Sequence, residues 1–481
     1  MSASEPDAAP APPRPSRRPR HGHEAVPSLP DEVIVEHILT RVPAAATVRF
    51  RAVCRRWRAA LTSDHFVQAY QAVRRAAALL QPPEIFFFAP GAAAGSTSFY
   101  SSRLTQEDAS SPARELVTVG DLRASDLVLS GTKPCRGLTL LYQPGECAYH
   151  VCNLSTGEHV SLPPCALAMS VQVYGPCVLS STGLGFHPAA GEHIVVRLFE
   201  DWGKQQRCEV YGLRSGGWRP LAGLAPPHAA KGLDGRPPVF VDGHFYWHIY
   251  TTTNFSGSEE QLYRTPEPIL SLSVDTERFG WVRPPAERAR HVFHLAELDG
   301  QLCAAVDTRL VDGRYELWVR PAGPTAAPSW SLCCRISLAS LPRPMREALS
   351  RGFRVLPLAC SWAGKILLAT SCHEVYAYDP ERNSVDRVFS VREYMDAPRE
   401  PELLLNIAMH EETVTGVPCR ILAGDDVGNL KMKLGRTTVA RQGGGPSDWR
   451  TRDLTVTGQQ QVQRMLSFAV AVFHDIVNNH N

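Results

Sequence analysis

Residues 29–43 read LPDEVIVEHILTRVP and residues 47–57 read TVRFRAVCRRW, and these two stretches decide the N-terminal part of the fold. Pro30 suits the first turn of a helix, where its missing N–H costs nothing, and the acidic Asp31 and Glu32 suit the positive end of the helix dipole. The apolar residues that follow lie on two sides of the predicted helix rather than on one stripe. A short helix with this pattern needs apolar cover on both sides.

Two further helices are predicted behind the first one. Pro43 ends the first helix, and a second apolar series follows over residues 48–61. Ser63 can cap a third helix, in which Phe66 and Tyr70 begin a series of apolar residues at three- and four-residue steps. Three helices in about 50 residues form too small a core to bury all of these side chains. The surplus apolar surface predicts either a binding partner or a place in the core of a larger domain.

The order of these residues resembles the F-box motif. Leu-Pro, an acidic residue, an apolar helix, a Val-Pro stop and then Arg-Phe-Arg-x-Val-Cys-x-x-Trp all stand in sequence. This resemblance implies binding to a Skp-type adaptor and, through it, to the cullin and RING subunits of a ubiquitin ligase. The residues that would pack on the adaptor or support that face are Leu29, Pro30, Val33, Ile34, Ile38, Leu39, Val42, Val48, Val53, Cys54 and Trp57.

The composition is that of a folded protein with more than one domain. The chain has 481 residues, of which 44% are hydrophobic and 20% charged. A formal net charge of +2 gives no reason to expect binding to nucleic acid or to a membrane surface. No stretch reaches the roughly 18 consecutive apolar residues that a membrane-spanning helix needs. Neither nucleic acid nor a membrane is therefore expected as a partner.

The N-terminal segment and the cysteines predict the cellular compartment. Residues 1–27 are rich in alanine, proline and arginine and lack the apolar segment of a signal peptide, so we expect a disordered tail. The 13 cysteines are an odd number and form no repeating framework. Reduced thiols in the cytoplasm, the nucleus or both are therefore expected.

Beyond about residue 83 the helical pattern is replaced by repeated β-hairpins. Trp218, Trp281 and Trp330 lie on the return strands of three of these hairpins. A glycine followed by a short apolar strand precedes each hairpin, at intervals of roughly 48, 58, 57 and 64 residues, which are near the blade length of kelch-type propellers. The hairpins are residues 149–163, 208–221, 269–285, 315–336 and 374–389, and the glycines are Gly137, Gly185, Gly243, Gly300 and Gly364.

Five repeats need a sixth to close a propeller. Residues 84–88 and residues 403–408 are strand-like, and their pairing would complete a sixth blade. We therefore predict an α+β multidomain fold, with a three-helix module over residues 28–80 followed by an all-β, six-bladed propeller over residues 84–424. Residues 425–481 are predicted to be a linker and a candidate C-terminal helix. A β-sandwich or two irregular sheets are alternatives, because the intervals between the glycines are uneven.

Residues 130–420 also resemble a known family. The matching segments are Cys135-Arg-Gly-Leu, Tyr149-His-Val-Cys-Asn-Leu-Ser-Thr-Gly, Gly185-Phe-His-Pro and Val241-Asp-Gly-His-Phe-Tyr-Trp. They are similar to the F-box-associated, kelch-like domains of flowering-plant F-box proteins. This resemblance implies a β-propeller that binds a target protein.

The sequence carries no motif that indicates catalysis or a bound cofactor. His244 and His248 have the spacing of two zinc ligands on a helix, but they lie in a predicted strand. At about 3.3 Å per residue, a strand would separate them by roughly 13 Å, too far for one ion. No nucleophile elbow, phosphate-binding loop or dinucleotide fingerprint is present. We therefore predict no catalytic residue, no cofactor and no metal site.

These observations predict a non-catalytic receptor subunit of an SCF-type ubiquitin ligase. The helical module would bind the Skp-type adaptor, and the propeller would hold a target protein whose identity the sequence does not reveal. Two alternatives remain open. One is a propeller enzyme preceded by an unrelated helical segment, and the other is an F-box scaffold that binds the adaptor without acting in a ligase.

Overall fold

Apolar side chains form one layer between each pair of neighbouring β-sheets in the region beyond residue 83. The described residues form six sheets, each of four strands or more. Because every sheet packs on the one before it and the one after it, the fold is a closed six-bladed β-propeller, as predicted. The computed structural model describes residues 31–78, 81–104, 112–143, 146, 148–165, 180–201, 205–221, 223–226, 236–249, 269–285, 293–309, 312–321, 329–351, 355–362, 364–395, 406–417, 433–434 and 438–439.

Among the described residues, the α-helices precede the propeller, apart from one that joins blades 5 and 6. The helices are α1 (Asp31–Val33), α2 (Ala44–Phe50), α3 (Arg55–Thr62), α4 (Asp64–Ala78) and α5 (Arg343–Arg351).

Blade 1 contains β1 (Glu84–Pro90), β2 (Thr97–Arg103) and β3 (Ala113–Val119), and blade 2 contains β4 (Val128–Leu129), β5 (Thr139–Gln143), β6 (Ala148–Cys152) and β7 (His159–Ser161). Blade 3 contains β8 (Ser180–His187), β9 (Glu192–Glu200), β10 (Gln206–Gly212) and β11 (Trp218–Pro220), and blade 4 contains β12 (Val239–Val241), β13 (His244–His248), β14 (Ile269–Ser273) and β15 (Phe279–Val282). Blade 5 contains β16 (Phe293–Leu298), β17 (Gln301–Thr308), β18 (Arg314–Arg320) and β19 (Ser331–Ser337), and blade 6 contains β20 (Val355–Trp362), β21 (Lys365–Thr370), β22 (Glu374–Asp379) and β23 (Ser384–Ser390). Three short strands follow, namely β24 (Ile407–Met409), β25 (Lys433–Leu434) and β26 (Thr438–Val439).

The helical module differs from the prediction in its second helix, which is divided into α2 and α3. The break falls at Cys54, whose backbone is extended (φ −156°, ψ 166°) and whose sulfur accepts the Trp57 N–H at 3.4 Å. Ser63 caps α4 as predicted, because its hydroxyl accepts the Phe66 N–H at 3.2 Å. None of the helices in the described ranges has the length and apolar character needed to cross a membrane.

The five predicted hairpins are confirmed, and each one forms the third and fourth strands of a blade. Two of the three tryptophans join neighbouring blades. Trp218 Nε1 donates to the Pro163 carbonyl at 2.9 Å, and Trp330 Nε1 donates to the Arg283 carbonyl at 2.7 Å. In both cases the acceptor follows the last strand of the preceding blade. Trp281 remains 46% exposed.

One of the five repeat glycines was placed wrongly by the sequence pattern. Gly137, Gly243, Gly300 and Gly364 have positive φ and lie between the first and second strands of their blades. Gly185 instead lies inside β8, where a Cβ atom would be 2.5 Å from Phe245 Cζ of blade 4. The turn glycine of blade 3 is Gly191 (φ 62°), so the first two intervals become 54 and 52 residues. A glycine required by close packing between blades gives the same sequence signal as one required by a turn.

The first and last blade strands pair as the closure prediction required. β24 is antiparallel to β1, with Phe86 opposite Ala408 and Phe87 opposite Ile407. The pairing strand spans Ile407–Met409, whereas the prediction covered residues 403–408, of which 403–405 lie outside the described residues. β25 and β26 pair with β3 and fall in the range 425–481, which was predicted as a linker. The predicted tail of residues 1–27 and the candidate C-terminal helix lie outside the described residues.

Candidate adaptor-binding surface

The helical module packs on the propeller through an apolar core that both parts share. Leu39, Leu61, Phe66 and Tyr70 are buried members of this core from the helices. Val414, which follows β24 in the chain, is fully buried in the same core. The module therefore covers part of its surplus apolar surface with a residue from the end of the propeller rather than with a separate protein.

Residues 410–417, which we call the strap, also make polar contacts with the module. The Glu412 carboxylate accepts the Ala44 N–H at 2.8 Å through Oε1 and pairs with Arg74 Nη1 at 3.2 Å through Oε2. Gln71 Nε2 donates to Thr415 Oγ1 at 3.0 Å. Because the Arg74 and Glu412 side chains are only 25% and 26% exposed, water and salt screen this pair less than a surface pair.

Contacts with blades 2 and 3 define the face of the propeller on which the module lies. Arg51 donates to Glu158 Oε1 of blade 2 at 2.9 Å, and Arg214 of blade 3 pairs with Asp64 at 2.9 Å. Glu158 and Arg214 lie in the turns between the third and fourth strands of their blades. The module therefore lies over the third-to-fourth strand turns of these two blades.

The residues predicted to bind the adaptor, or to support the adaptor-binding face, differ in how deeply they are buried. Leu29 and Pro30 lie outside the described residues, and Leu39 is buried in the shared core. The half-buried members of the predicted set are Val33, Ile34, Val42, Val48 and Trp57, and the exposed members are Ile38, Val53 and Cys54. The structure thus separates supporting positions from exposed positions, and the contact with an adaptor stays a prediction.

Ile38 and Val53 keep large apolar side chains on the surface of the module, with exposed fractions of 43% and 62%. Ile38 ends a π-helical turn (Ile34–Ile38), in which the Leu39 N–H donates to the Ile34 carbonyl. Such a turn contains more residues than an α-helical turn, so a 3.6-residue period does not predict the correct face beyond Ile34. Both side chains are available for contact with a partner, since the shared core does not bury them.

Sequence reasoning missed the residues that attach the module to the propeller. Val414 and Glu412 stand more than 330 residues from the helices that they contact, and Glu158 stands in a turn between two strands. Arg51 was considered only as part of the F-box pattern, although it donates to Glu158 and to the Val414 carbonyl. No local sequence signal marks these pairs, because closure of the propeller brings them together.

Ionisable groups inside the described part of the propeller form small pairs. Lys133 Nζ lies 2.6 Å from Glu297 Oε2, and burial raises the pKa of Glu411 beside them. His150 stacks on His159 with 5.5 Å between ring centroids, and burial, then the charge of His159, lower the pKa of His150 to about 4. In the described ranges, no three histidine, cysteine, aspartate or glutamate side chains are placed to hold one metal ion.

Two segments of the chain match known protein families. Residues 85–402 match the F-box-associated beta propeller domain, and residues 26–68 match the F-box domain. The first match covers more than half of the chain. The chain therefore belongs to the F-box-associated propeller family and carries an F-box before the propeller.

Individual relatives agree with this assignment at low identity. The "Putative F-box/kelch-repeat protein At1g12870" of Arabidopsis thaliana is 22% identical over 356 residues, covering 71% of this chain and 79% of the relative. The F-box/kelch-repeat protein At2g43445 of the same organism is 25% identical over 318 residues, covering 64% of this chain and 66% of the relative. Among solved structures, a chain of the nidogen/laminin complex aligns at 15% identity and a TM-score of 0.35, covering 69% of this chain and 99% of that one. A TM-score below 0.5 is too low to support an inference about this chain.

Proposed function

We propose that this chain is the substrate-receptor subunit of an SCF-type cullin–RING ubiquitin ligase. The observation that carries the proposal is that the F-box module keeps Ile38 and Val53 exposed, although its core is packed against the propeller. The F-box resemblance implies a Skp-type adaptor as the partner of this surface, with the cullin and RING subunits bound through the adaptor. The propeller would bind the target protein.

The proposed contribution to ubiquitin transfer is positional. Binding a target on the propeller raises the effective concentration of its lysine amines near the ubiquitin carrier that the other subunits hold. The chain itself would make and break no covalent bond in this reaction. Its effect on the rate would therefore depend on affinity for the target and on the geometry between module and propeller.

The compartment proposed for this function is the cytoplasm, the nucleus or both. Cys54 and Cys333 are free thiols on the surface of the described part of the chain. Exposed thiols persist in a reducing compartment, whereas an oxidising one favours disulfides. The thiols support this proposal, and fractionation of cells that express the tagged chain tests it.

Affinity purification of the tagged full-length chain tests the proposed function. We compare the native chain with an Ile38→Asp, Val53→Asp variant and with Leu224→Asp as a control, since Leu224 is 91% exposed and follows β11. The adaptor and the cullin should co-purify with the native chain and the control, and both should be lost from the double variant. Proteins bound by the propeller should remain in all three preparations.

Two results would contradict the proposal. Adaptor recovered equally with the double variant and the native chain would show that these exposed residues do not form the binding surface. Adaptor binding without any protein whose ubiquitination depends on this chain would favour the non-ligase F-box scaffold. Quantitative mass spectrometry of ubiquitin-modified peptides, with and without the chain, provides the second readout.

A further inference from the structure

The strap begins where the propeller closes. After β24 pairs with β1, the Met409 N–H donates to the Thr132 carbonyl at 2.9 Å, and the His410 N–H donates to the Glu84 carbonyl at 2.8 Å. The next residues of the same segment contact the helical module through Glu412 and Val414. One continuous segment therefore completes blade 1 and attaches the module.

The contacts of the strap reach three helices of the module and one blade turn. Glu412 contacts α2 and α4, through the Ala44 N–H and the Arg74 guanidinium. Arg51, at the end of α2, donates to the Val414 carbonyl at 2.8 Å and to Glu158 of blade 2, and its side chain is only 11% exposed. Leu61 of α3 shares the apolar core with Val414. These contacts fix the module in more than one direction.

The chain connection alone would not hold this orientation. Helix α4 ends at Ala78 and β1 begins at Glu84, so five residues join the two parts. Pro82 and Pro83 make such a segment stiffer than a glycine-rich one, but a single covalent connection between two parts does not fix their relative orientation. The non-covalent contacts of the strap and of Arg51 must therefore supply the fixed geometry.

We propose that the strap holds the helical module and the propeller as one rigid body, and that Arg51 and Glu412 are positioning residues that set the distance between the adaptor-facing helices and the target-binding propeller. The rigid attachment follows from the contacts within this chain, whereas its consequence for ubiquitin transfer rests on the function proposed above. A fixed distance limits the lysines that the ubiquitin carrier can reach, because effective concentration depends on the span between two tethered sites.

Single-molecule energy transfer on the full chain tests the rigid attachment. Dyes are attached through non-natural amino acids at the exposed positions His65 of α4 and Glu381 of blade 6. The test variant combines Arg51→Gln with Glu412→Gln. The matched control combines Arg343→Gln with Glu347→Gln, which removes an exposed pair (2.7 Å) within α5, the helix that joins blades 5 and 6. The distance distribution should become at least twofold wider in the test variant and stay unchanged in the control.

A milder variant tests the attachment with less risk of unfolding the protein. Gln71→Ala removes the donor to Thr415 Oγ1 and leaves the two ion pairs in place, so it should widen the distribution by a smaller factor. Thermal unfolding of each variant confirms that the propeller is intact at the measuring temperature. An unchanged distribution in the folded double variant would overturn the proposal.

The ligase provides a second readout. In a reconstituted complex with a Skp-type adaptor, cullin and RING subunits, the affinity of the double variant for the adaptor should equal that of the native chain within twofold, while self-ubiquitination spreads to additional lysines. An unaltered lysine map together with a wider distance distribution would overturn the positioning role. A native chain that binds no adaptor would contradict the proposed function, and the distance measurement would still decide the rigid attachment.

Discussion

Arg51 of the helical module donates a hydrogen bond to Glu158 of blade 2, with 2.9 Å between Nη1 and Oε1. The same guanidinium donates through Nη2 to the Val414 carbonyl, so one side chain joins the module, an internal turn of the propeller and the strap. Its partner Glu158 also accepts the Val417 N–H at 3.0 Å. Arg51 therefore links contacts that depend on propeller closure to contacts within the F-box.

Replacing Arg51 should cost stability. Arg51→Gln is expected to lower the free energy of unfolding by about 1–3 kcal/mol, because it leaves a partly buried carboxylate and a carbonyl without their charged donor. Arg56→Gln is the matched control within the module, since the Arg56–Glu32 pair is 69% exposed on both sides and should contribute less than about 0.5 kcal/mol. Urea denaturation measures both, and equal effects would show that Arg51 is not a structural link.

A side chain at Gly137 should displace the strap. Gly137 has a φ of 81°, and a Cβ atom there would lie 2.1 Å from Thr413 Cγ2. Gly137→Ala should therefore destabilise the protein by about 2–4 kcal/mol, from backbone strain plus the steric clash. Gly191→Ala has similar strain (φ 62°) with open space around its Cβ, and should cost only about 1–2 kcal/mol.

Hydrogen exchange separates backbone strain at Gly137 from the steric clash with Thr413. Amides of α2 and α4 should exchange faster in Gly137→Ala and remain at the native rate in Gly191→Ala, because only the first substitution moves the strap. Identical exchange in both variants would show that Thr413 can move away without detaching the module.

Stability should fall as the pH decreases from about 6.5 to about 4, partly because of His150. Burial, then the charge of His159, lower the pKa of His150 from 6.5 to about 4 in the folded protein. Within this interval the unfolded chain binds the proton and the folded chain does not, so acid favours unfolding, while above pH 6.5 the contribution is constant. The total loss of stability from protonation of His150 is about 3 kcal/mol. Urea denaturation of His150→Gln should show a correspondingly smaller loss of unfolding free energy between pH 6.5 and pH 4. Parallel curves of unfolding free energy against pH for the variant and the native chain would contradict the assignment.

Few lysines are available for self-ubiquitination. The chain has six, Lys133, Lys204, Lys231, Lys365, Lys431 and Lys433, and none precedes Lys133. Arginine cannot replace lysine as the acceptor, because its guanidinium stays protonated. In a reconstituted ligase without target, modification should map to these six residues. Replacing all six with arginine should nearly abolish it, and persistent modification would show that lysine supply does not limit the reaction.

Local chemistry explains what the sequence predicted correctly. Ser63 was recognised as a helix cap because the cap and its N–H donor are three residues apart. Asp242 and Gly243 were recognised as a strand turn because both residues adopt positive φ (45° and 71°), which this residue pair favours. The hairpins were likewise predictable, because each joins strands that are close in sequence.

Contacts between distant residues explain what the sequence could not predict. The attachment of the module depends on Glu412 and Val414, which reach Ala44 and its neighbours only after the propeller closes. The exposure of Ile38 depends on a π-helical turn, which a regular helical period does not indicate. The F-box pattern named the residues of the predicted adaptor surface, but burial of Leu39 and exposure of Val53 required the tertiary structure, and the contact with an adaptor stays a prediction.

The affinity of the purified full-length chain for a purified Skp-type adaptor tests the central claim most directly. Isothermal titration should give saturable binding for the native chain and for Leu224→Asp, and at least 100-fold weaker binding for the Ile38→Asp, Val53→Asp variant, because a charge at each exposed apolar position would be buried in the interface. Thermal unfolding should be the same for all three proteins, since these side chains lie on the surface. A native chain that shows no binding, or a double variant that binds as tightly as the native chain, would contradict the claim that this surface is the adaptor site of a ubiquitin-ligase receptor.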